Sequence, residues 1–238
     1  VFVAIMKINV VESVLKANDA VAEENRRRLS AARLLAVNLM SAPGSGKTKL
    51  LEKTIPALGS EYLSAVLVGD LQTTRDAERL GDLAAHTTQI NTGSGCHLTA
   101  TQVAEGLKGL PLEQVAFLFI ENVGNMVCPA GFDLGEHVRV ALLSVPEGDD
   151  KVAKYPTLFQ PADAILLTKV DLVGVLDYDR GRVRDDLSRI NTRAPLIEMS
   201  AKTGQGLDEW LGWLRTQRAE RVRAQAGAAG GSQPGSGG

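Results

Sequence analysis

The sequence predicts an α/β fold, a doubly wound and mostly parallel sheet with helices on both faces. Three observations carry that expectation. From residue 34 onward, short apolar runs of strand length alternate with amphipathic stretches of helix length, the pattern of successive βαβ units. Aromatic residues make up only 4% of the chain, so its core must be built from Val, Leu, Ile and Ala, which suits strands buried on both faces. Every chemically distinctive segment follows directly after one of the apolar runs, and ligands of such sheets bind at the carboxyl ends of the strands.

The elements follow in order. Residues 11–33 read as a helix, with Val11, Val14, Leu15 and Val21 on one face and Glu23-Glu24 ahead of Arg26-Arg27-Arg28. That arginine run fits a solvated helix end better than a nucleic-acid patch, because Lys+Arg (26) and Asp+Glu (28) leave a net charge of -2. Residues 34–40, 65–68, 116–120, 138–145, 164–167 and 196–199 read as strands. Residues 48–58, 74–85, 98–107, 180–190 and 207–219 read as helices. The Gly-, Ser-, Ala- and Pro-rich end of the chain has no apolar period to offset the entropy of ordering, so residues 220–238 are expected to form a disordered tail. This divides the chain into an N-terminal extension and packing helix (1–33), an α/β domain (34–219) and the tail.

Composition excludes several classes. There is no surplus of positive charge for gripping a nucleic-acid backbone. A hydrophobic share of 44% and a charged share of 23% exclude wholesale disorder. Two cysteines cannot build a disulfide framework in a chain this long. No apolar run approaches the roughly 18 residues of a membrane span. Val1-Phe2-Val3-Ala4-Ile5 lacks the basic start of a secretory signal, Met6 reads as the natural start, and the cytoplasm is the expected compartment.

Ser41-Ala42-Pro43-Gly44-Ser45-Gly46-Lys47-Thr48 follows the first strand and opens a helix, the context of a GxxxxGK[ST] phosphate loop. Ser41 replaces the first Gly, at a position that needs mainly a tight turn. Gly44, Ser45 and Gly46 let backbone N–H groups turn around a phosphate, Lys47 supplies charge to the β- and γ-phosphates, and the Thr48 hydroxyl is placed for Mg²⁺. Thr168-Lys169-Val170-Asp171 and Ser200-Ala201-Lys202 follow two later strands, where guanine-binding proteins carry [NT]KxD and SA[KL]. Asp171 can accept guanine N1–H and N2–H₂ together, a donor pair that adenine lacks. The Lys169 stem can lie along the purine face, and the Ala201 N–H can meet O6. Thr168 stands where Asn is commoner and predicts modestly altered affinity.

Glu121, at the end of the third expected strand, is placed to face Mg²⁺ directly or through water, and Gly124 can approach the γ-phosphate with its N–H. Asp70 is a second candidate for Mg²⁺. Asp76 is a third and reads equally as an acid in the first turn of a helix. Lys47, Glu121 and Gly124 are therefore the expected catalytic set. Cys96, His97 and Cys128 suit Ni²⁺ or Zn²⁺, and equally suit two small buried hydrophobes beside a histidine. Gly93-Ser94-Gly95 supplies the loop that adjacent ligands need. Three ligands leave one position for water or a second chain. His86 and His137 read as ordinary surface or helix residues.

With these motifs in place, the chain resembles the HypB family of hydrogenase nickel-incorporation GTPases. The resemblance rests on NLMSAPGSGKTKLLE, GDLQTTRDAERL, TGSGCHLTA, FIENVGNMVCPAGFDLGE, SVPEGDDKVAKYP and SAKTGQGLDEWLGWL, over roughly residues 7–216. It implies slow GTP hydrolysis, a GTP-promoted homodimer, and nickel passed on with a hydrogenase maturation partner chaperone to the hydrogenase large subunit. It also implies a metal site of Cys96, His97 and Cys128 at the dimer interface. It makes Lys154 the lysine that reaches the neighbour's nucleotide, with Lys151 a near alternative. The N-terminal CxxCGC or His-rich segment of many members is not found in the residues given, which leaves the metal set of the GTPase domain. The rival expectations are a related metallochaperone GTPase of the urease or cobalamin-enzyme type and a metal-free signalling GTPase. In urease-type members Cys-Pro is followed by His; here Cys128-Pro129 is followed by Ala130. A small-molecule kinase is disfavoured by TKVD with SAK.

Overall fold

A computed structural model describes residues 10–70, 74–93 and 95–230 of the chain. Met6 and residues 231–238 lie outside them. The described residues form a seven-stranded sheet in the order β3-β2-β4-β1-β5-β6-β7, every pairing parallel. The strands are β1 (Leu35–Met40), β2 (Ser64–Asp70), β3 (His86–Asn91), β4 (Phe117–Glu121), β5 (Val138–Ser144), β6 (Ala164–Thr168) and β7 (Leu196–Glu198). The helices are α1 (Val10–Ala31), α2 (Lys47–Leu58), α3 (Arg75–Gly81), α4 (Ala100–Gly106), α5 (Lys151–Lys154), α6 (Pro156–Phe159), α7 (Arg180–Ile190) and α8 (Leu207–Gly230). The expected doubly wound P-loop architecture is the one observed. Among the described residues, no helix is long and apolar enough to cross a membrane.

The central strands are buried because both of their faces carry apolar side chains. Leu35, Val37 and Leu39 of β1 enter one layer with Phe117, Phe119 and Trp210, while Ala36 joins the layer of Leu29 and Leu118 on the other face. Period-two alternation thus feeds two cores from one strand, each fully buried Leu or Phe contributing about 1.5–3 kcal/mol. Trp210 is wholly buried, and its indole N–H donates to Thr54 Oγ1 at 2.9 Å, which fastens α8 to α2.

Three expectations need correction. The strand β3 has no counterpart among the expected elements. It reads His-Thr-Thr-Gln-Ile-Asn, lies at the sheet edge against β2 alone, and is only half-buried, so it lacks the apolar run that marks a strand. The helix expected over 74–85 accordingly shortens to α3. At the other end, α8 continues past Ala219 to Gly230, where a disordered tail was expected to begin. Arg218 Nε, in the last expected turn, donates to Ala116 O at 3.3 Å, and Arg221 Nη2, in the first extra turn, donates to Ser30 Oγ at 2.8 Å, so long cationic side chains tie the start of the extension to the body. Finally, His137 is no ordinary surface or helix residue. It stands just before β5, its Nδ1 accepts the Ala36 N–H at 3.0 Å, and its Nε2 lies 3.2 Å from Ser30 Oγ. Burial pushes its pKa down to about 3. His86 opens β3, partly exposed.

α1 lies against α4 and the turn before β5. Asn18 Nδ2 donates to Asp133 O at 2.7 Å while its Oδ1 accepts the Ala100 N–H at 2.9 Å. Asn25 Nδ2 is shared between Ala100 O (2.8 Å) and Leu134 O (3.0 Å). These buried amides satisfy the backbone where the chain enters α4 and approaches β5.

Candidate functional site

The carboxyl edge of the sheet holds two adjoining cavities, of about 500 Å³ and about 330 Å³, that share Gly46, Lys49 and Lys169. Together they match the size of a pocket for a nucleotide. The larger is built on the turn from β1 to α2. Gly44 (φ +75) and Gly46 (φ +100) take left-handed conformations that a side chain would resist, so the chain can wrap inward before the helix begins. Lys47 is buried, and its Nζ donates to Ser41 Oγ at 3.0 Å. Burial lowers its pKa, against the opposing pull of Glu121, Asp76 and Glu147. Ser41, the departure from the strict loop pattern, therefore gives the lysine a hydrogen-bond partner.

Thr48 Oγ1 donates to Glu121 Oε1 at 2.7 Å, joining the start of α2 to the end of β4. Burial pushes the Glu121 carboxyl up to about 7, although the Thr48 bond and the Lys47 charge pull it down. Its Oε2 is buried without a hydrogen-bond partner. An orphaned carboxylate oxygen beside a hydroxyl, with Asp70 on the same wall, is a donor set of hard oxygens that fits Mg²⁺. Asp76 and Arg79 line the same cavity and pair with each other at 3.0 Å. Gly124 lies against the loop: a Cβ there would stand 2.8 Å from Pro43 Cα.

The smaller cavity gathers Thr168, Lys169, Asp171, Ser200, Ala201 and Lys202. Asp171 Oδ1 accepts the Ser200 hydroxyl at 2.6 Å, which aims the carboxylate. Lys169 takes φ 59 and its Nζ donates to Gly44 O at 2.7 Å, laying the side chain across the junction of the two cavities. Thr168 Oγ1 donates to Ser45 O at 2.7 Å, so the unusual threonine ties this cavity to the phosphate loop. Ser45 is held a second time. Its hydroxyl donates to Glu147 Oε1 at 2.6 Å, and the same oxygen accepts Ser144 Oγ at 2.6 Å. Sequence reasoning missed Glu147. Its signal was the Ser144-x-x-Glu147 capping box at the end of β5.

Cys96, His97 and Cys128 converge, with their ligand atoms within 4.8 Å of one another. Cys96 and His97 sit on the loop from β3 to α4, and Cys128 opens a short 3-10 turn after β4. In the sheet β2 lies between β3 and β4, so the first loop must pass over its end. Gly69 permits this: a Cβ there would meet Leu98 Cγ at 2.8 Å. Asn122 Oδ1 then accepts the Leu98 N–H at 3.1 Å. His97 stacks on Phe132 at 3.8 Å between centroids, and burial lowers its pKa, which favours the neutral, ligating imidazole. The hydrogen bond with Cys96 raises the Cys128 thiol. Two sulfurs and an imidazole nitrogen fit a soft or borderline divalent ion. Neither Gly69 nor Asn122 was singled out for this centre from the sequence. Lys154 is not brought to either cavity. It sits on α5 with Lys151, both paired to Asp150 of the same chain.

A parallel sheet with a Gly-Lys-Thr loop between its central strand and a helix defines the class, a P-loop nucleotide-binding protein. Comparison with known proteins narrows it. The family described as CobW/HypB/UreG, nucleotide-binding domain, matches residues 35–198. The chain is 47% identical over 221 residues to the hydrogenase maturation factor HypB of Azotobacter vinelandii, covering 93% of this chain and 73% of that protein. It is 41% identical to the hydrogenase/urease maturation factor HypB of Helicobacter pylori, covering 91% and 90% respectively. Among solved structures, the Helicobacter pylori HypB in complex with nickel aligns with a TM-score of 0.83 at 41% identity, over 87% of this chain and 97% of that one. The HypB of Archaeoglobus fulgidus aligns at 0.80 and 42% identity, over 86% and 100%. The chain belongs to the HypB family of hydrogenase maturation factors.

Proposed function

We propose that this chain hydrolyses GTP and carries nickel for [NiFe]-hydrogenase maturation, as a homodimer that forms on GTP binding. The observation that carries the reading is shared support. Glu121 ends β4 at the phosphate cavity, and Cys128 of the three-ligand cluster follows on the same connection. The nickel complex of the Helicobacter pylori relative supports the choice of ion, and zinc fits the same donors.

In this reading Asp171, oriented by Ser200, accepts the guanine donors, and the Ala201 N–H meets O6. Gly44, Ser45 and Gly46 wrap the phosphates. Lys47 exchanges Ser41 for the β- and γ-phosphates and neutralises charge that builds as water attacks phosphorus. Thr48, Glu121 and Asp70 would hold Mg²⁺, which would supply neutralisation of the phosphate charge. Gly124, already against Pro43, offers its N–H to the γ-phosphate and so reports its presence. The cargo ion sits between Cys96, His97 and Cys128, its remaining position filled by water or by a second copy. Lys154 serves the neighbour's nucleotide only after leaving Asp150. The recipients are a hydrogenase maturation partner chaperone and the hydrogenase large subunit, and the compartment is the cytoplasm.

Replacing Cys96 or Cys128 by Ala tests the reading. Nickel binding is expected to fall by at least about tenfold on loss of a ligand while GTP binding persists. Native mass measurement with a non-hydrolysable GTP analogue should find a dimer holding about half a nickel per chain. Unchanged nickel binding in both variants would remove this cluster as the nickel site, and no nickel binding by the unsubstituted chain would favour the metal-free signalling GTPase.

A further inference from the structure

Two asparagines after β4 connect the phosphate cavity to the metal cluster, and they are anchored differently. Asn122 is almost wholly buried. Its Oδ1 accepts the Leu98 N–H (3.1 Å) and the Val123 N–H (2.9 Å), and its Nδ2 donates to Asn38 Oδ1 at 3.3 Å. Asn38, inside β1, donates in turn to Glu136 at 3.2 Å, and Glu136 also accepts Arg139 Nε at 2.7 Å. The Cys96–His97 side is therefore fixed to the core of the sheet.

Asn125 hangs from the phosphate loop instead. Its main-chain N–H donates to Ser41 O at 2.8 Å. Its side-chain Oδ1 accepts the amides of Val127 (2.7 Å) and Cys128 (3.2 Å). Gly124, the preceding residue, presses on Pro43 of the same loop. Ser41 is also the residue whose hydroxyl holds Lys47. One residue thus grips the loop with its backbone and the Cys128 turn with its side chain. Val127, between them, is 57% exposed, so little packing restrains that part of the turn.

We propose that Asn125 is a positioning residue that couples occupancy of the phosphate cavity to the geometry of the metal cluster, moving Cys128 against a Cys96–His97 pair that Asn122 holds still. The inference rests on the function proposed above. When a triphosphate draws Lys47 away from Ser41 and engages Gly124, both contacts of the 124–125 segment with the loop are disturbed. The bond from Asn125 to the Cys128 amide passes that displacement to one ligand of three. Two fixed ligands and one movable ligand make a site that can loosen its ion without unfolding.

The test uses the full chain with Ni²⁺ as probe. It follows sulfur-to-nickel absorbance and affinity in the presence of GDP and of a non-hydrolysable GTP analogue. The unsubstituted protein should show at least about a fivefold difference in nickel affinity between the two states. Asn125→Ala should bring that ratio to one while the affinity of the metal-free protein for the analogue stays unchanged. Asn125→Asp keeps an acceptor oxygen and should retain the ratio. Asn125→Gln displaces the acceptor by one methylene and should lose it, which keeps the test open if the Ala variant does not fold. A ratio that survives both Ala and Gln overturns the proposal, as does an equal fall in nickel affinity in both states. Equal affinities in the unsubstituted protein would also overturn it, leaving the two binding sites standing. Failure of the nickel reading itself shows separately, as nickel binding that Cys96→Ala does not change.

Discussion

The two ends of the nucleotide groove are built on opposite principles. At the proposed base end the three polar side chains of the Thr168-Lys169-Val170-Asp171 segment are each hydrogen-bonded. Asp171 is bonded to Ser200, Thr168 to the Ser45 carbonyl, and Lys169 to the Gly44 carbonyl. At the phosphate end a carboxyl and an ammonium are buried with incomplete partners, Glu121 with an orphaned oxygen and Lys47 resting on a neutral hydroxyl. The difference teaches where ligand energy goes. A satisfied end discriminates by geometry that exists before binding, whereas an unsatisfied end gains its full electrostatic strength only when charge arrives.

Three changes would break or sharpen this contrast. The largest effect is expected from Lys47→Ala, which removes the one cation buried at the phosphate end among the described residues. GTP turnover should fall about 10²–10³-fold, measured as phosphate release. A loss no larger than that of a base-end variant would dissolve the distinction.

Glu121→Gln comes next. Burial holds this carboxyl at about 7 against an ordinary 4.5, so between those values the folded chain binds the extra proton. The stability of the metal- and nucleotide-free protein should therefore fall as pH rises through that window, by up to roughly 3 kcal/mol once pH exceeds 7. The glutamine variant cannot ionise and should lose that slope. Urea midpoints at pH 5 and pH 8 for both proteins would check it, and parallel slopes would contradict an unsatisfied carboxylate.

Thr168→Val probes the satisfied end with the smallest effect. It deletes the hydrogen bond to Ser45 O and leaves that carbonyl unpaired by Thr168, at a cost of about 1 kcal/mol in unfolding free energy. Discrimination of GTP over ATP, measured by competition, should persist because Asp171 and Ser200 are untouched. If discrimination collapsed, the base end would depend on its tie to the phosphate loop and would not be set independently.

Much of this was legible beforehand because it is local. A phosphate loop is a few consecutive residues whose φ angles and side chains act together, so Gly44, Gly46, Lys47 and Thr48 can be read directly from their order. The strands β1, β4, β5 and β6 are largely buried on both faces and announce themselves as predominantly apolar runs, interrupted only by single polar residues such as Asn38 and Arg139. The strand β3 did not, because an edge strand is stabilised by one neighbour's hydrogen bonds and needs no apolar pattern. Glu147 could have been found from its capping box. Asn122 and Asn125 could not be assigned their partners, since an amide beside a switch-like segment has no sequence mark that says what it will hold.

The residue order alone carried the expectation of a ligand class at each of these segments, because the chemistry of Gly-Lys-Thr, of Thr-Lys-Val-Asp and of a Cys-His pair belongs to neighbouring side chains. Only the folded chain decided that Cys96 and His97 meet Cys128. Their loops leave strands separated by β2, and the meeting depends on a missing side chain at Gly69 and on buried amide bonds from Asn122. Only the folded chain decided how Glu121 titrates. A carboxyl's pKa is set by the water taken away from it and by the charges around it, and both come from residues distant along the sequence.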